Sequence, residues 1–421
     1  MSIGRSVQSA IYRAGLFGRR PVVPTRPDEL AEAARKVMSP QAWAYVAAGA
    51  GAQRTVAANT AAFDHFRLVP RMLVDVEERD HSATLFGRQL SSPLLLAPIG
   101  VLELAHPAAE HAVAAAARAT GVPMILSTQA SVPMEEVAED LGDTPRLFQL
   151  YWSRDESIVE SFVRRAERIG ADAIVVTLDT HMLGWRTHDL DLGYLPFARG
   201  LGIAQYTSDP AFQALVEQRL GLPGESVRPG LLELPAAVRS LASIASHHPG
   251  KLADNLRDPR PRAAVETFLD VFSRSDLTWE DLSRLRTMTD LPIVLKGLQS
   301  PSDARRALDH GADGIVVSNH GGRQVDGAIA SIDALPGIVD EVDGRIPVLF
   351  DSGIRTGADV LKAVALGADA VLLGRPYVYG LALAGAAGVQ GVIEHVLAEL
   401  DLSLGLVGQH SLAEVSRDLI G

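Results

Sequence analysis

The stretch DGIVVSNHGG (residues 313–322) is an apolar run that ends abruptly in a histidine and two glycines. Apolar runs without alternation are typical of parallel strands that are covered on both faces. The same pattern, a short β-branched run followed by a turn and an alanine-rich stretch, recurs from residue 91 onward. The other runs are PLLLAPIG (93–100), PMILST (123–128), RLFQLY (146–151), DAIVVTLDT (172–180), PIVLKG (292–297), PVLFDSG (347–353) and DAVLLGRP (369–376).

Eight strand–helix units predict a (β/α)8 TIM barrel, with an open doubly wound sheet as the alternative. We expect residues 91–421 to form this barrel and residues 1–90 to form an N-terminal helical segment that packs on it. Residues 187–278 separate the fourth and fifth strands and are much longer than an ordinary connection. This insert contains the polar stretch HHPGKLADNLRDPRPR (247–262), which is typical of a mobile loop or a subdomain.

The composition narrows the classes of partner. The 39 basic and 51 acidic residues give a formal charge of −12, which disfavours nucleic acid and anionic membranes because both require a basic face. The absence of cysteine excludes disulfides, thiolate nucleophiles and cysteine-ligated metals, and we predict no metal site. The sequence has no secretory signal and its apolar segments are interrupted by polar residues, so we expect a cytoplasmic protein outside the membrane.

Polar residues follow most of the apolar runs. In a (β/α)8 barrel the active site lies at the carboxyl ends of the strands, so these residues should meet at one rim. They are Ser127, Thr128, Gln149, Tyr151, Thr177, Asp179, Lys296, Ser318, Asn319, His320, Arg323, Asp351, Arg355, Gly374 and Arg375.

The last two strands predict a phosphate site. DSGIRTG (351–357) and LLGRP (372–376) each place glycine and arginine just beyond a strand, where backbone N–H groups and a cation can meet an anion. Tight turns with solvated arginines are the alternative. Lys296 could be a Schiff-base nucleophile, a surface charge or a cation beside an electron-rich cofactor, and the neighbouring phosphate site favours the cofactor role.

The sixth strand predicts a site for a 2-hydroxy acid. His320 could be an ordinary turn histidine, but Arg323 follows three residues later with two glycines between them, so both side chains can reach one point. A neutral imidazole is a suitable general base, and a guanidinium is a planar clamp for a carboxylate.

These motifs resemble a known family. SNHGGRQ (318–324), with LKG (295–297) before it and DSGIRTGADVLKA (351–363) and GRP (374–376) after it, is similar to the FMN-dependent 2-hydroxy acid oxidases and dehydrogenases. The resemblance runs from about Tyr45 to the C-terminus. Within the family, the lactate 2-monooxygenases resemble the chain most in PRMLVDVEERD (70–80), APIGV (97–101), TLDTHMLGWR (177–186) and PFARGLGIAQYTSDPAFQ (196–213).

The resemblance implies a role for each matching residue. His320 would be the base, Asp179 its partner, and Tyr151 the group that faces the substrate hydroxyl. Arg323, Arg186 and Tyr45 would bind the carboxylate. Residues implied to bind FMN are Pro98, Ile99, Gly100, Ser127, Gln149, Thr177, Lys296, Ser318, Asp351, Ser352, Gly353, Arg355, Gly374 and Arg375.

The resemblance also implies an activity. FMN would oxidise an L-2-hydroxy acid, most simply L-lactate, and dioxygen would reoxidise the flavin. Retention of the keto acid would give acetate, CO2 and water, whereas early release would give keto acid and hydrogen peroxide, and a dehydrogenase with another acceptor stays open. Family members of this type are usually homo-oligomers, so we expect a tetramer or octamer. The alternative from another class is a phosphate-binding barrel without redox chemistry.

Overall fold

A parallel barrel forms the centre of the molecule. The computed structural model describes residues 2–221, 230 and 233–421. Eight strands close in the order β10-β3-β4-β5-β6-β7-β8-β9, so the (β/α)8 prediction is confirmed and the open sheet is wrong. The barrel strands are β3 (Leu94–Leu96), β4 (Met124–Leu126), β5 (Arg146–Leu150), β6 (Ile174–Thr177), β7 (Ile293–Leu298), β8 (Gly314–Val317), β9 (Val348–Phe350) and β10 (Ala370–Leu373).

Helices surround the barrel and cover its outer face. The N-terminal helices are α1 (Ile3–Gly15), α2 (Pro27–Val37), α3 (Pro40–Ala47) and α4 (Arg54–Ala61). Those that follow barrel strands are α5 (Ala109–Thr120), α6 (Met134–Leu141), α7 (Glu156–Arg168), then, beyond the insert, α14 (Asp281–Arg286), α15 (Pro301–Asp309), α16 (Ser331–Val342), α17 (Gly357–Ala365) and α18 (Arg375–Leu406). Side-chain caps fix several of their starts, as where Thr356 and Asp359 form a capping box on α17.

A short hairpin closes the barrel at the end opposite the site. Strands β1 (Ala83–Leu85) and β2 (Arg88–Leu90) pair antiparallel, so residues 1–90 are not helical throughout. Leu85 and Leu90 are buried together with inward-facing strand residues such as Leu147 and Val294. The ring of Phe86 lies so close to Gly314 that a Cβ there would be 3.2 Å from it. The hairpin therefore covers the barrel interior at the amino-terminal ends of the strands.

The insert after β6 folds as a helical subdomain. Its helices are α8 (Thr187–Asp191), α9 (Ala204–Thr207), α10 (Pro210–Leu220), α11 (Leu234–His247), α12 (Leu252–Asn255) and α13 (Arg260–Val271), and residues 222–229, 231 and 232 lie outside the described part. Aromatic side chains tie it to the rest of the molecule: the Tyr206 ring centroid is 5.0 Å from that of Phe162 on α7, and the Phe197 centroid is 6.4 Å from that of Tyr45 on α3. Of the two expectations for this insert, a mobile loop or a subdomain, the structure shows the subdomain, which burial of these rings stabilises.

Helix α18 is long and apolar enough to cross a membrane by length and composition alone. It departs from helical geometry at Ala384 and Gly385, and it packs against α5, α17 and the N-terminal helices α1 and α2. These contacts are typical of the core helix of a folded domain.

Candidate active site

One cavity lies at the carboxyl ends of the barrel strands. It is the place where the polar residues of the strand ends were expected to meet. The predicted residues that line it are Tyr45, Pro98, Ile99, Gly100, Gln149, Tyr151, Thr177, Arg186, Lys296, His320, Arg323, Asp351, Ser352, Gly353, Arg355, Gly374 and Arg375.

Three further residues to which the resemblance gave a role, Ser127, Asp179 and Ser318, lie just behind the cavity wall. Asp179 contacts His320, and the Ser127 hydroxyl donates to Oε1 of Gln149 over 3.3 Å. The Ser318 hydroxyl lies 2.7 Å from Nζ of Lys296 and accepts its hydrogen bond. Each of them therefore supports a residue that lines the cavity.

His320 and Asp179 form a half-buried pair. Nδ1 of His320 is 2.9 Å from Oδ1 of Asp179. Burial lowers the pKa of His320 although the carboxylate opposes it, so the imidazole is neutral at neutral pH. Burial alone would raise the pKa of Asp179, but the interaction with His320 outweighs it and the carboxyl stays ionised. The proton is thereby directed to Nδ1, and Nε2 is left as the acceptor.

The turn after β8 holds His320 in a strained conformation. Its φ is 58°, a region that non-glycine residues rarely adopt. The backbone N–H of His320 donates to the Ser318 hydroxyl over 3.1 Å, and that of Gly321 donates to the Ser352 hydroxyl over 3.0 Å. Asn319 accepts from the N–H of Gly322 over 3.1 Å and closes the turn. These bonds fix the imidazole at the cavity.

Lys296 places a buried cation at the base of the same cavity. Its Nζ lies 2.6 Å from Oδ2 of Asp351, and the lysine is only 4% exposed. A buried lysine needs such a partner to remain charged. The pair brings together residues that the sequence assigned separately to the cofactor.

Arg323 is a half-buried cation in the cavity wall. In the described part of the chain its guanidinium forms no ion pair; it donates instead to the carbonyls of Tyr45 and Ala48, the latter over 3.1 Å. It also lies over the Tyr45 ring, 5.0 Å from the centroid. Burial and the nearby charge of Arg186 lower the pKa of Arg323 to about 9. A bound anion would supply the missing countercharge.

Arg186 adds a second cation to this side of the cavity. Its Nη2 donates to Oε1 of Gln324 over 3.2 Å and its Nε donates to the backbone carbonyl of Arg323 over 3.4 Å. Two guanidinium groups and the Tyr45 phenol thus face one region. Planar donors in this arrangement suit a carboxylate.

Arg355 and Arg375 form a second cationic region at the ends of β9 and β10. Burial lowers the pKa of Arg375 to about 10 and also lowers that of Arg355. Arg375 donates to the carbonyls of Val46 and Ala48 over 3.0 and 3.1 Å, and neither arginine is paired with a carboxylate among the residues described. A Cβ on Gly374 would meet nothing closer than 3.9 Å, so its backbone is open to a ligand.

A network of amide and hydroxyl groups lines the opposite wall. Gln149 donates to the Thr177 hydroxyl over 2.9 Å and accepts from the backbone N–H of Thr128 over 3.1 Å. The loop after β3 is held tightly against it, since a Cβ on Gly100 would lie 2.8 Å from the carbonyl oxygen of Gln129. A side chain at position 100 would therefore collide with the backbone of Gln129.

Sequence reasoning missed several residues of the cavity wall, among them Thr180, Leu183, Phe197 and Phe272. Thr180 follows Asp179 at the end of β6, so its position beside the predicted pair was a usable signal. Phe197 and Phe272 belong to the insert, and no local pattern directs them to the site. Their place follows from ring contacts: Phe197 packs against Tyr45, and Phe272 packs against Phe197.

The comparisons with known proteins agree with this geometry. The model of the FMN-dependent dehydrogenases matches residues 34–421. The chain belongs to the FMN-dependent dehydrogenase family. It is 43% identical to an FMN-dependent alpha-hydroxy acid dehydrogenase of Penicillium citrinum over 98% of this chain and 94% of that protein. It is 40% identical to an L-lactate oxidase of Lysinibacillus sphaericus over 87% and 85% of the two chains.

A solved structure shares the architecture of the family. Mandelate oxidase with (S)-4-hydroxymandelic acid superimposes with a TM-score of 0.74 at 38% identity, covering 93% of this chain and 97% of that one. The protein is therefore an FMN-dependent 2-hydroxy acid oxidoreductase, as the resemblance implied.

The residues present fit FMN. Arg355 and Arg375 are half-buried cations that form no ion pair with a carboxylate in the described chain, and they suit a phosphate. Lys296 can offset the negative charge that a reduced flavin ring carries. Gln149 and Thr177 offer donors and acceptors of the kind that the polar edge of the ring requires.

Proposed function

We propose that this protein oxidises L-lactate with dioxygen as the acceptor, and that the keto acid stays bound with the hydrogen peroxide formed from dioxygen, which oxidises it to acetate, CO2 and water. The observation that carries the proposal is the convergence on one cavity of a neutral imidazole and the guanidinium groups of Arg186 and Arg323. The similarity to an L-lactate oxidase supports the choice of substrate. A simple oxidase that releases pyruvate and hydrogen peroxide is the second candidate, favoured by the oxidases among the relatives.

The carboxylate of the substrate is bound first. Arg323 and Arg186 supply the positive charge that a carboxylate needs after it has lost its water shell. The phenol of Tyr45 lies at the same place and supplies a further donor. Fixing the carboxylate at three donors leaves the α-carbon one orientation in the cavity.

His320 then removes a proton. Its Nε2 is the unprotonated nitrogen because Asp179 holds the proton on Nδ1. As the imidazole becomes charged, the ionised Asp179 stabilises it, as in other Asp–His pairs. Tyr151, whose pKa burial raises, stays protonated and donates to the substrate oxygen.

When bound, FMN would supply the redox chemistry by taking two electrons from the substrate and passing them to dioxygen. We propose that Arg355, Arg375 and the backbone of Gly374 hold its phosphate, and that Lys296 lies beside the ring. Pro98, Ile99 and Gly100 would pack against the ring from the loop after β3.

The products test the proposal. The FMN-loaded enzyme is supplied with L-lactate in air, and acetate, pyruvate and hydrogen peroxide are quantified. Acetate with little peroxide is the expected result. Pyruvate and peroxide in equal amounts would establish the simple oxidase instead.

We further propose a homo-oligomer. Met72 and Leu73 are 73% and 105% exposed, which is unusual for large apolar side chains. Light scattering of the purified protein is expected to give a tetramer or octamer, and a monomeric mass would contradict this.

A further inference from the structure

Thr180 occupies a central place beside the proposed base. It is 6% exposed, follows Asp179 directly and lines the cavity. Its Oγ1 lies 3.0 Å from Oδ1 of Asp179 and 3.2 Å from Nδ1 of His320. One hydroxyl therefore contacts both members of the proposed catalytic pair.

The hydrogen-bonding capacity of these groups fixes their arrangement. A threonine hydroxyl has one donor and two acceptor positions, whereas the ionised Asp179 can only accept. The Thr180 hydroxyl must therefore donate to Oδ1 of Asp179, and a lone pair of its oxygen faces the Nδ1–H of His320. The other oxygen, Oδ2, is buried without a hydrogen-bond partner among the described residues, so Oδ1 alone organises the array.

We propose that Thr180 is a positioning residue for the oxidation proposed above. Its hydroxyl donates to Oδ1 of Asp179 and holds that carboxylate oxygen in line with Nδ1 of His320. The imidazole consequently keeps its proton on Nδ1 and presents Nε2 to the substrate. The catalytic part of this inference rests on the proposed function. The hydrogen bonds of Thr180 with Asp179 and His320 do not depend on which reaction the protein catalyses.

The charged and titratable groups facing His320 come from several elements. They are Asp179 beyond β6, Lys296 on β7, Arg186 at the start of α8 and Tyr151 beyond β5. Replacing Thr180 by valine alters none of these charges. It removes one donor from Asp179, which concentrates negative charge on Oδ1 and strengthens its attraction for the imidazolium. The pKa of His320 should therefore rise.

The test compares Thr180→Val, which keeps the shape of the side chain, with Thr180→Ser, which keeps the hydroxyl. Anaerobic flavin reduction by L-lactate is followed in a stopped-flow instrument as a function of pH. Thr180→Val is expected to lower the limiting rate about tenfold while KM changes by less than about threefold. Its acid limb moves to higher pH, and Thr180→Ser restores both rate and pH profile to within about threefold of wild type.

A readout without turnover separates this inference from the proposed function. Nitrogen-15 histidine labelling reports the tautomer and pKa of His320, with His320→Gln identifying its signals. The expected result is an Nδ1–H tautomer in wild type and a higher pKa in Thr180→Val alone. If no 2-hydroxy acid reduces the wild-type flavin, the proposed function fails. The nitrogen-15 titration of His320 would still show whether the Thr180 hydroxyl controls the pKa of the imidazole. An unchanged His320 pKa in Thr180→Val, or equal rate losses in both variants, overturns the inference.

Discussion

Nδ1 of His320 lies 2.9 Å from Oδ1 of Asp179, although 141 positions separate the two residues in the chain. Asp179 follows β6 and His320 follows β8, so the pair spans the end of β7 between them. Gly297 makes this possible: it has a φ of 112°, and a Cβ there would lie 2.9 Å from Cβ and Cγ of Asp179. The closed barrel thus brings two distant residues together over a strand end that lacks a side chain.

Asp179→Asn tests the role of this pair. The amide keeps the size of the side chain but removes the charge that stabilises a protonated His320, and its NH2 favours the wrong tautomer. We expect the rate of anaerobic flavin reduction to fall by roughly 10²–10⁴ while FMN stays bound. A loss of less than about threefold would show that the carboxylate does not act through His320.

Arg323→Met tests the carboxylate site. The variant removes a half-buried guanidinium that has no carboxylate partner in the described chain, so the substrate loses its main charge contact. KM for L-lactate should rise about a hundredfold or more, because a charge-assisted bond is lost. Arg305→Met, at an exposed arginine paired with Glu341, is the control and should leave KM unchanged. Equal effects of the two variants would rule out the clamp.

Arg375→Met tests the phosphate site. FMN and riboflavin differ only in the phosphate, so their relative affinity isolates this contact. We expect the preference of the apoprotein for FMN over riboflavin to fall by roughly a hundredfold in the variant, measured by fluorescence titration. Riboflavin affinity should stay within about threefold of wild type. A similar loss for both ligands would mean that Arg375 supports the fold instead.

Glu110 on α5 makes stability depend on pH. The side chain is 2% exposed, accepts from the backbone N–H of Ser131 over 3.0 Å, and burial raises its pKa to about 8. In the unfolded chain the group ionises near its ordinary value of about 4.5, so the folded state binds the extra proton between these pH values. The contribution of Glu110 to the stability of the folded protein is fully present below about pH 4.5 and is lost as the pH rises toward 8.

Glu110→Gln removes this dependence because the amide is neutral at every pH. The free energy of unfolding of the variant should exceed that of wild type by a few kcal/mol near about pH 9, with a smaller gap near about pH 6. Denaturant unfolding at both pH values measures the gap. A gap that does not change with pH would show that Glu110 is already ionised in the folded protein.

The barrel and most of the site were predictable from local sequence. Each strand end carries its own polar residues next to a continuous apolar run, and barrel closure alone brings His320, Lys296 and Arg375 to one rim. The structure of the insert was harder to predict, because Pro259 and Pro261 are typical of a loop and yet lie at the start of α13. Proline is well tolerated in a first helical turn, and only the tertiary burial of Phe268 decides between the two.

Side-chain pairing was the part that sequence could not supply. Lys296 and Asp351 were each assigned to the cofactor, but their ion pair depends on β7 and β9 flanking β8 in the closed barrel. Phe197 and Phe272 reach the cavity through contacts between the insert and Tyr45 rather than through any motif. Thr180 directly follows the predicted residue Asp179, but the contacts of its hydroxyl with Asp179 and His320 are visible only in the structure.

The most direct test of the account is anaerobic mixing of the FMN-loaded protein with L-lactate and, separately, D-lactate while the flavin absorbance is followed. A site that fixes the carboxylate at Arg323 and the base at His320 predicts rapid bleaching by the L enantiomer, little by the D enantiomer, and a loss of roughly 10²–10⁴ in rate for His320→Gln. Bound FMN that no 2-hydroxy acid bleaches, or equal bleaching in His320→Gln, would contradict it.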